Sequence, residues 1–460
     1  MNRDSREGFP TKGVKMNAID RICQNRGGSV LLAVLGFLFL AMGLVETILY
    51  LSSTHRKIAQ RQVNMEQAMF VAEAGLERGS RFIESNIVVL GASSGFTNGS
   101  GSVGSGSYYY QISRPNSTTY SIVSTGTVNG VSRTVSLLRI YQPTYAEFAL
   151  WSQTNGVIWF KHGEVFNGRV HADDEMYFDV TGGGPVFQAT VTSGAGTYTV
   201  NGGTISGVEF DQGFFLNTFE GSMADVDFNS SSSTSLKNAA TSSGLVLQGN
   251  TTITFNGSSV KITNSRAGWS NHTYTPPTEG IVYIQNSNSG TTSTRAGTAY
   301  LTGGSVNGRL TVVTESDIYV QGNITYASDP QVNPSSDDAL GLISQDDVWV
   351  DTSAPDNLTI DAAIMATGQS SPSDNGSFGV INYDDSSYPH LGNRGTLTVY
   401  GGIVQQVRGA VGTFNSHTGQ TSTGYAKNYS YDPRFINDPP PYYPVISSEV
   451  RFSQWQEGPR

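Results

Sequence analysis

The chain has little of what many folded domains use for cross-linking and for long helices. Its 460 residues contain one cysteine, Cys23, so no disulfide can form within one chain. Charged residues make up only 14%, and a net charge of -10 gives no basic footprint for nucleic acid. Runs of Leu, Ala, Glu and Lys are missing after about residue 85, whereas Gly, Ser, Thr and Asn are abundant. This composition favours short strands and turns over helices.

Motifs for metal-dependent or hydrolytic chemistry are also missing. No His-x-x-x-His or His/Cys spacing appears, although His162 and His171 have Glu164 and Asp173 nearby. Adjacent acids are frequent, but neighbouring residues of a strand point to opposite faces, which makes them poor catalytic pairs. These pairs are Asp173-Asp174, Asp337-Asp338, Asp346-Asp347 and Asp384-Asp385. We therefore expect no enzyme and no cofactor. Asp/Asn/Gly loops are compatible with Ca²⁺, but no residues can be assigned to it.

One long apolar run, Ser29 to Leu51, follows a basic leader of residues 1–28. As a helix, Val30 to Leu51 spans about 33 Å, enough to cross a bilayer. The small residues Gly27-Gly28 precede the run, whereas a secretory signal peptide carries its small-residue cleavage site after it. We expect a single-pass inner-membrane helix over 29–55. The basic leader favours a cytoplasmic N-terminus, with the C-terminal domain outside the cytoplasm, although basic residues at 55–61 weaken that asymmetry.

The segment 56–141 has the pattern of a helix followed by a small sheet. An apolar stripe predicts that the helix continues to Ser85, with no proline from Ser29 onward. Its members are Ile58, Met65, Met69, Ala72, Leu76 and Ile83. Gly91 to Gly106 has the composition of a flexible linker. Asn129-Gly130 between alternating apolar runs then predicts a β-hairpin in an antiparallel sheet lying on the helix.

These features resemble a known family. The Gly-ending basic leader and apolar run resemble a class III prepilin signal. The stretch Gln67 to Glu77 (QAMFVAEAGLE) is similar to PilX-type minor pilins and related pseudopilins. The resemblance implies that a prepilin peptidase cuts after Gly28, that Ser29 becomes the methylated first residue, and that the helix packs among other pilins or pseudopilins. A cut after Gly27 is the alternative, and Met16 is a second candidate start.

The sequence departs from the pilin pattern at one position. Most major pilins carry Glu as the fifth mature residue, whereas here that position is Ala33, or Leu32 with the other cut. The only acid in the apolar run is Glu46, near its outer end. The loss resembles the tip-type pseudopilin of type II secretion, which caps a filament.

From residue 142 onward, short β-rich runs alternate with Gly, Asn, Asp and Ser. Related stretches recur, and two of them lie 30 residues apart: Asp174 to Phe178, Ser316 to Val320 and Asp346 to Val350. Such repetition predicts stacked coils, so we expect a β-helix (β-solenoid) over 142–415, with a β-sandwich as the alternative. A Pro/Tyr-rich segment, 416–460, is expected to pack as an extended cap or to serve as a partner-binding strap. The expected fold class is mainly β with one long N-terminal α-helix.

Several short stretches of this region also resemble large pilin-associated ectodomains. They are Trp151-Ser152, Asn167 to Asp179, Ile343 to Val350 and Tyr431 to Phe435. The function expected from the whole sequence is a minor pilin or tip-type pseudopilin in a type IV pilus or related filament, exposed on the cell surface after assembly. Two alternatives stay open: an adhesin for a surface or glycan ligand and, least favoured, a membrane-anchored carbohydrate-active enzyme.

Overall fold

A computed structural model describes ten stretches of the chain. They are residues 26–90, 98–114, 119–232, 235–287, 297–370, 375–385, 392–415, 418, 420–447 and 449–458. Most of the predicted leader, including Cys23 and Met16, lies outside these residues. So do residues 91–97 of the predicted linker.

One continuous helix, α1 (Arg26–Leu90), begins the described chain. Its 65 residues correspond to about 97 Å of helix. The predicted long helix is confirmed and extends beyond Ser29 and Ser85 at both ends. It contains no proline, so no backbone hydrogen bond is interrupted along its length.

A five-stranded antiparallel sheet packs on the C-terminal half of α1. Its strand order is β1-β2-β3-β4-β31. The strands are β1 (Asn98–Val103), β2 (Gly106–Ser113), β3 (Thr119–Val128), β4 (Val131–Tyr141) and β31 (Arg451–Glu457). The predicted hairpin is confirmed, because Val128 pairs with Val131 across Asn129 and Gly130. Both turn residues have positive φ, 50° and 77°, as a two-residue hairpin turn of this kind requires.

Residues 98–106 differ from the predicted flexible linker. They form β1 and the turn into β2 instead. A Cβ on Gly99 would lie 2.3 Å from the Tyr110 ring, and one on Gly101 would lie 2.3 Å from the Tyr108 hydroxyl. Glycine is therefore used here for close ring packing across the strand rather than for chain flexibility.

The large region between β4 and β31 contains 26 strands and one short helix, α2 (Leu236–Ser243). The strands are β5 (Phe148–Thr154), β6 (Trp159–Lys161), β7 (Val165–Phe166), β8 (Arg169–Ala172), β9 (Met176–Asp179), β10 (Val186–Phe187), β11 (Val191–Ser193), β12 (Tyr198–Asn201), β13 (Glu209–Phe210), β14 (Phe214–Phe215), β15 (Gly244–Gln248), β16 (Thr251–Gly257), β17 (Ser259–Asn264), β18 (Trp269–Tyr274), β19 (Glu279–Gln285), β20 (Ala299–Val306), β21 (Arg309–Thr314), β22 (Ile318–Val320), β23 (Ile324–Tyr326), β24 (Ala339–Ser344), β25 (Val348–Val350), β26 (Leu358–Ala366), β27 (Phe378–Val380), β28 (Asn393–Val407), β29 (Gly412–Phe414) and β30 (Thr421–Tyr431).

Most of these strands pair in parallel. The longest series, ladder A, runs β15-β19-β21-β24-β26-β28-β5-β8-β11-β14. The first strand in the chain, β5, thus lies in the middle of the ladder, beside β28. Residues 216–243 carry the chain from one end of the ladder back to the other. Ten strands at the usual spacing give ladder A a length of about 43 Å.

Two shorter series accompany ladder A. Ladder B contains β16, β20, β22, β25 and β27, and ladder C contains β20, β23, β26, β28 and β30. Within ladder B, Tyr319 pairs with Trp349 in register. The predicted 30-residue repeat is therefore confirmed as two neighbouring paired strands. The antiparallel strands β17 and β18 form an excursion from β16.

Alternating side chains of ladder A enter two different cores. One set, such as Leu150, Ile364 and Ile403, faces the interior shared with the other ladders. The other set, such as Trp151 and Val404, faces outward and is covered by the segments 216–243 and 433–446. Both sets are apolar because a strand covered on both faces has no solvated side.

The predicted C-terminal cap, 416–460, is divided among three structures. Thr421 to Tyr431 is strand β30 of ladder C, so the predictions of a boundary at 415 and of no strand after Asn428 are wrong. The prolines begin only at Pro433, after that strand has ended. Residues 433–446 cover the outer core, and β31 joins the sheet on α1.

Candidate membrane and assembly interface

The N-terminal half of α1 has the surface of a membrane span. Every side chain from Val30 to Leu51 is exposed except that of Ala41, which is half-buried. Among the described residues, α1 is the single helix long and apolar enough to cross a membrane, with a mean hydropathy of 2.3 over its most apolar 18 residues. Exposed apolar area of this extent requires a nonpolar surrounding, which either a bilayer or other helices would supply.

The polar side chains of this half are accommodated within the helix. Thr47 Oγ1 donates to the Gly43 carbonyl at 2.7 Å, and Thr54 Oγ1 donates to the Tyr50 carbonyl at 2.9 Å. Glu46 is exposed and lies about 25 Å along the helix axis from Ser29. It therefore lies near the outer boundary of a bilayer that begins at Ser29.

The C-terminal half of α1 contacts the sheet through its smallest residues. Ala68, Ala72, Gly75 and Gly79 are buried against β2 and β3. A Cβ on Gly126 of β3 would lie 2.2 Å from the Ala68 carbonyl oxygen and 2.3 Å from the Ala72 nitrogen. Helix and strand backbones are therefore in direct contact. The predicted stripe lies at the flank of this contact, and its first member, Ile58, is 51% exposed.

Two chain segments connect the sheet to the large β region, and they run side by side. Thr144 pairs with Val445 in an antiparallel bridge. The Tyr145 nitrogen donates to the Pro444 carbonyl at 3.0 Å, and the Ile446 nitrogen donates to the Pro143 carbonyl at 2.8 Å. Residues 142–450 are therefore inserted between two neighbouring strands, β4 and β31, of the sheet on α1.

A buried carboxylate reinforces this junction. Glu147 is 4% exposed, and its Oε2 lies 3.3 Å from Arg451 Nη1 and 3.7 Å from Arg169 Nη1. Burial raises the pKa of Glu147, and the nearby arginines, including Arg139, only partly oppose that shift. Arg169 comes from the large β region and Arg451 from the sheet, so Glu147 links the two parts electrostatically.

The structure separates most of the residues that had the composition of a metal or catalytic site. His171 Nε2 lies 2.8 Å from Asp173 Oδ1, but Glu164 pairs with Lys427 elsewhere. No group of three or more His, Cys, Asp or Glu side chains that could hold a metal occurs within the described residues. Acids of the adjacent pairs cap backbone groups: Asp338 Oδ1 accepts from the Gly308 nitrogen at 2.6 Å, and Asp347 Oδ1 accepts from the Ser377 nitrogen at 2.6 Å.

The predicted processing and assembly residues lie on α1. Gly28 and Ser29 are within the first turn of the helix, and Ala33 is exposed on the apolar half, as is Glu46. The roles assigned to these residues stay predictions. Sequence analysis missed the strand β31 and the ion pair between Glu164 and Lys427, whose partners are 263 residues apart. No local pattern indicates either of them.

Comparison with known proteins gives one result of low similarity. No protein-family model matches the chain, and no curated protein matches it significantly. The crystal structure of the competence-associated pilin ComZ from Thermus thermophilus is similar over 86% of this chain and 98% of that chain. The sequence identity is 11% and the TM-score is 0.33. Similarity at this level carries no argument about fold or function.

Proposed function

We propose that the chain is a pilin-like subunit, of the minor pilin or tip-type pseudopilin kind, that joins other pilins in a type IV pilus or related filament. One observation carries the proposal: a single unbroken helix is apolar and fully exposed in its N-terminal half and packs on a small antiparallel sheet in its C-terminal half. The exposed half needs a membrane before assembly and neighbouring helices afterwards. Prepilin peptidase is the processing enzyme, and the large β region lies outside the cytoplasm.

We further propose that this large region is an irregular β-solenoid. Successive strands pair in parallel along three ladders, and each ladder buries an inward apolar row. Parallel pairing supports stacked coils over the sandwich alternative, which is built from antiparallel sheets. The role is structural rather than enzymatic and needs no cofactor. In support, the carboxylates of Asp338 and Asp347 are engaged with backbone N–H groups.

A position at the filament end fits two features. The fifth mature residue is Ala33, so this subunit lacks the carboxylate that would pair with a neighbour's N-terminus. The inserted β region is also large, with ladder A alone about 43 Å long. One such region on every subunit would crowd a closely packed shaft, whereas a single copy at the end would not.

Immunogold labelling of sheared filaments, with antibodies against the inserted region, tests this position. We expect label at filament ends and none along the shaft. A matched strain lacking residues 142–450 gives the background. Label distributed along the shaft contradicts the tip position. Recovery of the protein only in membranes, with its leader uncut, in cells that make filaments contradicts the subunit role itself.

A further inference from the structure

The large β region contains a seam where its two stacks of strands meet. Ladder A crosses the seam without interruption, because β28 pairs with β5. On the other two faces, the sheets β6-β9-β12 and β7-β10-β13 stand apart from ladders B and C among the described strands. Side chains rather than a backbone ladder therefore connect β7 to β30.

A cleft of about 290 Å³ opens at this seam between β7 and β30. One end is closed by Asn167, whose Oδ1 accepts from the Tyr431 nitrogen at 2.6 Å and whose Nδ2 donates to Ser430 Oγ at 3.4 Å. At the other end, Lys427 Nζ donates to Glu164 Oε1 at 2.8 Å. Phe166 and Tyr429 contribute apolar wall, and Asn428 contributes an exposed amide.

Cations outnumber carboxylates around the cleft. Lys161, Arg408 and Lys427 stand against Glu164 and against Asp179, which is paired in register with Lys161. Three cations less two carboxylates leave an excess of one positive charge, in a chain whose net charge is -10. A local excess of this sign favours an anionic ligand.

Burial makes this charge costly in the empty cleft. Arg408 is 6% exposed, lies 3.8 Å over the Phe160 ring, and donates through Nη1 to the Ile158 carbonyl at 3.0 Å. Burial lowers the pKa of Arg408 to about 10 and also lowers that of Lys427. Lys427 and Arg408 outweigh burial at Glu164 and hold the pKa of its carboxyl below the usual value. An added anion would offset the remaining uncompensated charge.

We propose that this cleft binds a sugar acid, a hydroxylated ring that carries a carboxylate. An ammonium has three N–H donors, and Lys427 uses one of them on Glu164, which leaves two for a carboxylate in the cleft. The amide of Asn428 and the hydroxyl of Ser430 suit ring hydroxyls, and Phe166 and Tyr429 suit the apolar face of a sugar ring. The cleft volume suits a single ring. This site is independent of the proposed filament role.

Calorimetric titration of the detergent-solubilised full chain tests the site, with galacturonate, galactose and inorganic phosphate as probes. We expect galacturonate to bind at least about tenfold more tightly than galactose, because only the acid makes charge-assisted hydrogen bonds. Lys427→Met keeps the apolar stem of the side chain and should weaken galacturonate binding about tenfold or more. Lys261→Met removes an equally charged, exposed side chain on β17 and should leave binding unchanged.

Two further variants keep the test valid if Lys427→Met misfolds with Glu164 left unpaired. The double variant Glu164→Gln/Lys427→Met removes both charges and should lose galacturonate binding. Asn428→Ala leaves the ion pair intact and should weaken binding several-fold. Equal affinity for galacturonate and galactose overturns the proposal, and so does full binding by the double variant. Binding of phosphate without galacturonate also overturns it, because the ring hydroxyls would then contribute nothing.

Discussion

The last strand of the chain should stabilise the first sheet rather than the region that precedes it in sequence. β31 forms the edge of the sheet on α1, beside β4, although more than 300 residues separate the two strands. Removing residues 451–460 should therefore loosen the sheet near the membrane and leave the ladders of the large β region intact.

The size of the effect follows from the pairs that β31 makes. Six residues of β31 pair with β4, among them Phe452 with Ile140 and Trp455 with Leu137. Arg133 and Glu457 add an ion pair. Cross-strand pairs contribute roughly 0.2–1 kcal/mol each, so the deletion should lower the stability of the sheet by roughly 1–6 kcal/mol. That is a large share of the net stability of a small module.

Hydrogen exchange measured by mass spectrometry gives the assay. Amides of β3 and β4 should exchange faster in the deletion variant by a factor that corresponds to this loss, whereas amides of β21 and β24 should keep their protection. A variant ending at Gly458 retains β31 and serves as the matched control. Unchanged protection of β3 and β4 in the deletion variant would refute the assignment of β31 to this sheet.

Three other predictions concern the helix contact, a buried acid and the inserted region. Gly126→Val should cost about 1–3 kcal/mol or more in urea unfolding, because its side chain meets the backbone of α1, whereas Gly392→Ala, with open space around its Cβ, should cost little; equal costs would contradict that contact. Burial raises the pKa of Asp361 to about 6, above its unfolded value, so thermal stability should rise as pH falls from about 6 towards 4. Asp361→Asn should remove that rise and stabilise the protein by roughly 2 kcal/mol at pH 7, and an unaltered pH profile would contradict it. Replacing residues 142–450 by Asn-Gly should leave a folded helix and sheet, because Tyr141 and Arg451 are already paired; loss of β-sheet circular dichroism would contradict this.

The features that local physics encodes could be predicted from the sequence. A run without proline or charge indicates a helix whatever its neighbours, and α1 follows it. Asn129-Gly130 supplies the two positive φ values that only certain residues adopt readily, so the hairpin could be placed to the residue. The pairing of Tyr319 with Trp349 followed from a spacing that repeats once per turn of the stack.

The features that depend on distant pairing could not be predicted in this way. The glycines of β1 have the composition of a linker, and only the rings of Tyr108 and Tyr110 packing over them explain why they form a strand. The return of β31 to β4 leaves no local signal, because edge strands take their register from their partner. The pairing of Glu164 with Lys427 likewise depends on β5 lying beside β28, which reverses the order expected from simple consecutive coils.

The most direct test of the proposed pilin-like role is the mass of the mature N-terminus. Intact-protein and peptide mass spectrometry of material from sheared filaments should find a chain that begins at Ser29, with an added methyl group on its amino terminus. A chain that retains residues before Gly28, in cells with active prepilin peptidase, would contradict the account. The helix would then be an ordinary membrane anchor rather than an assembly element.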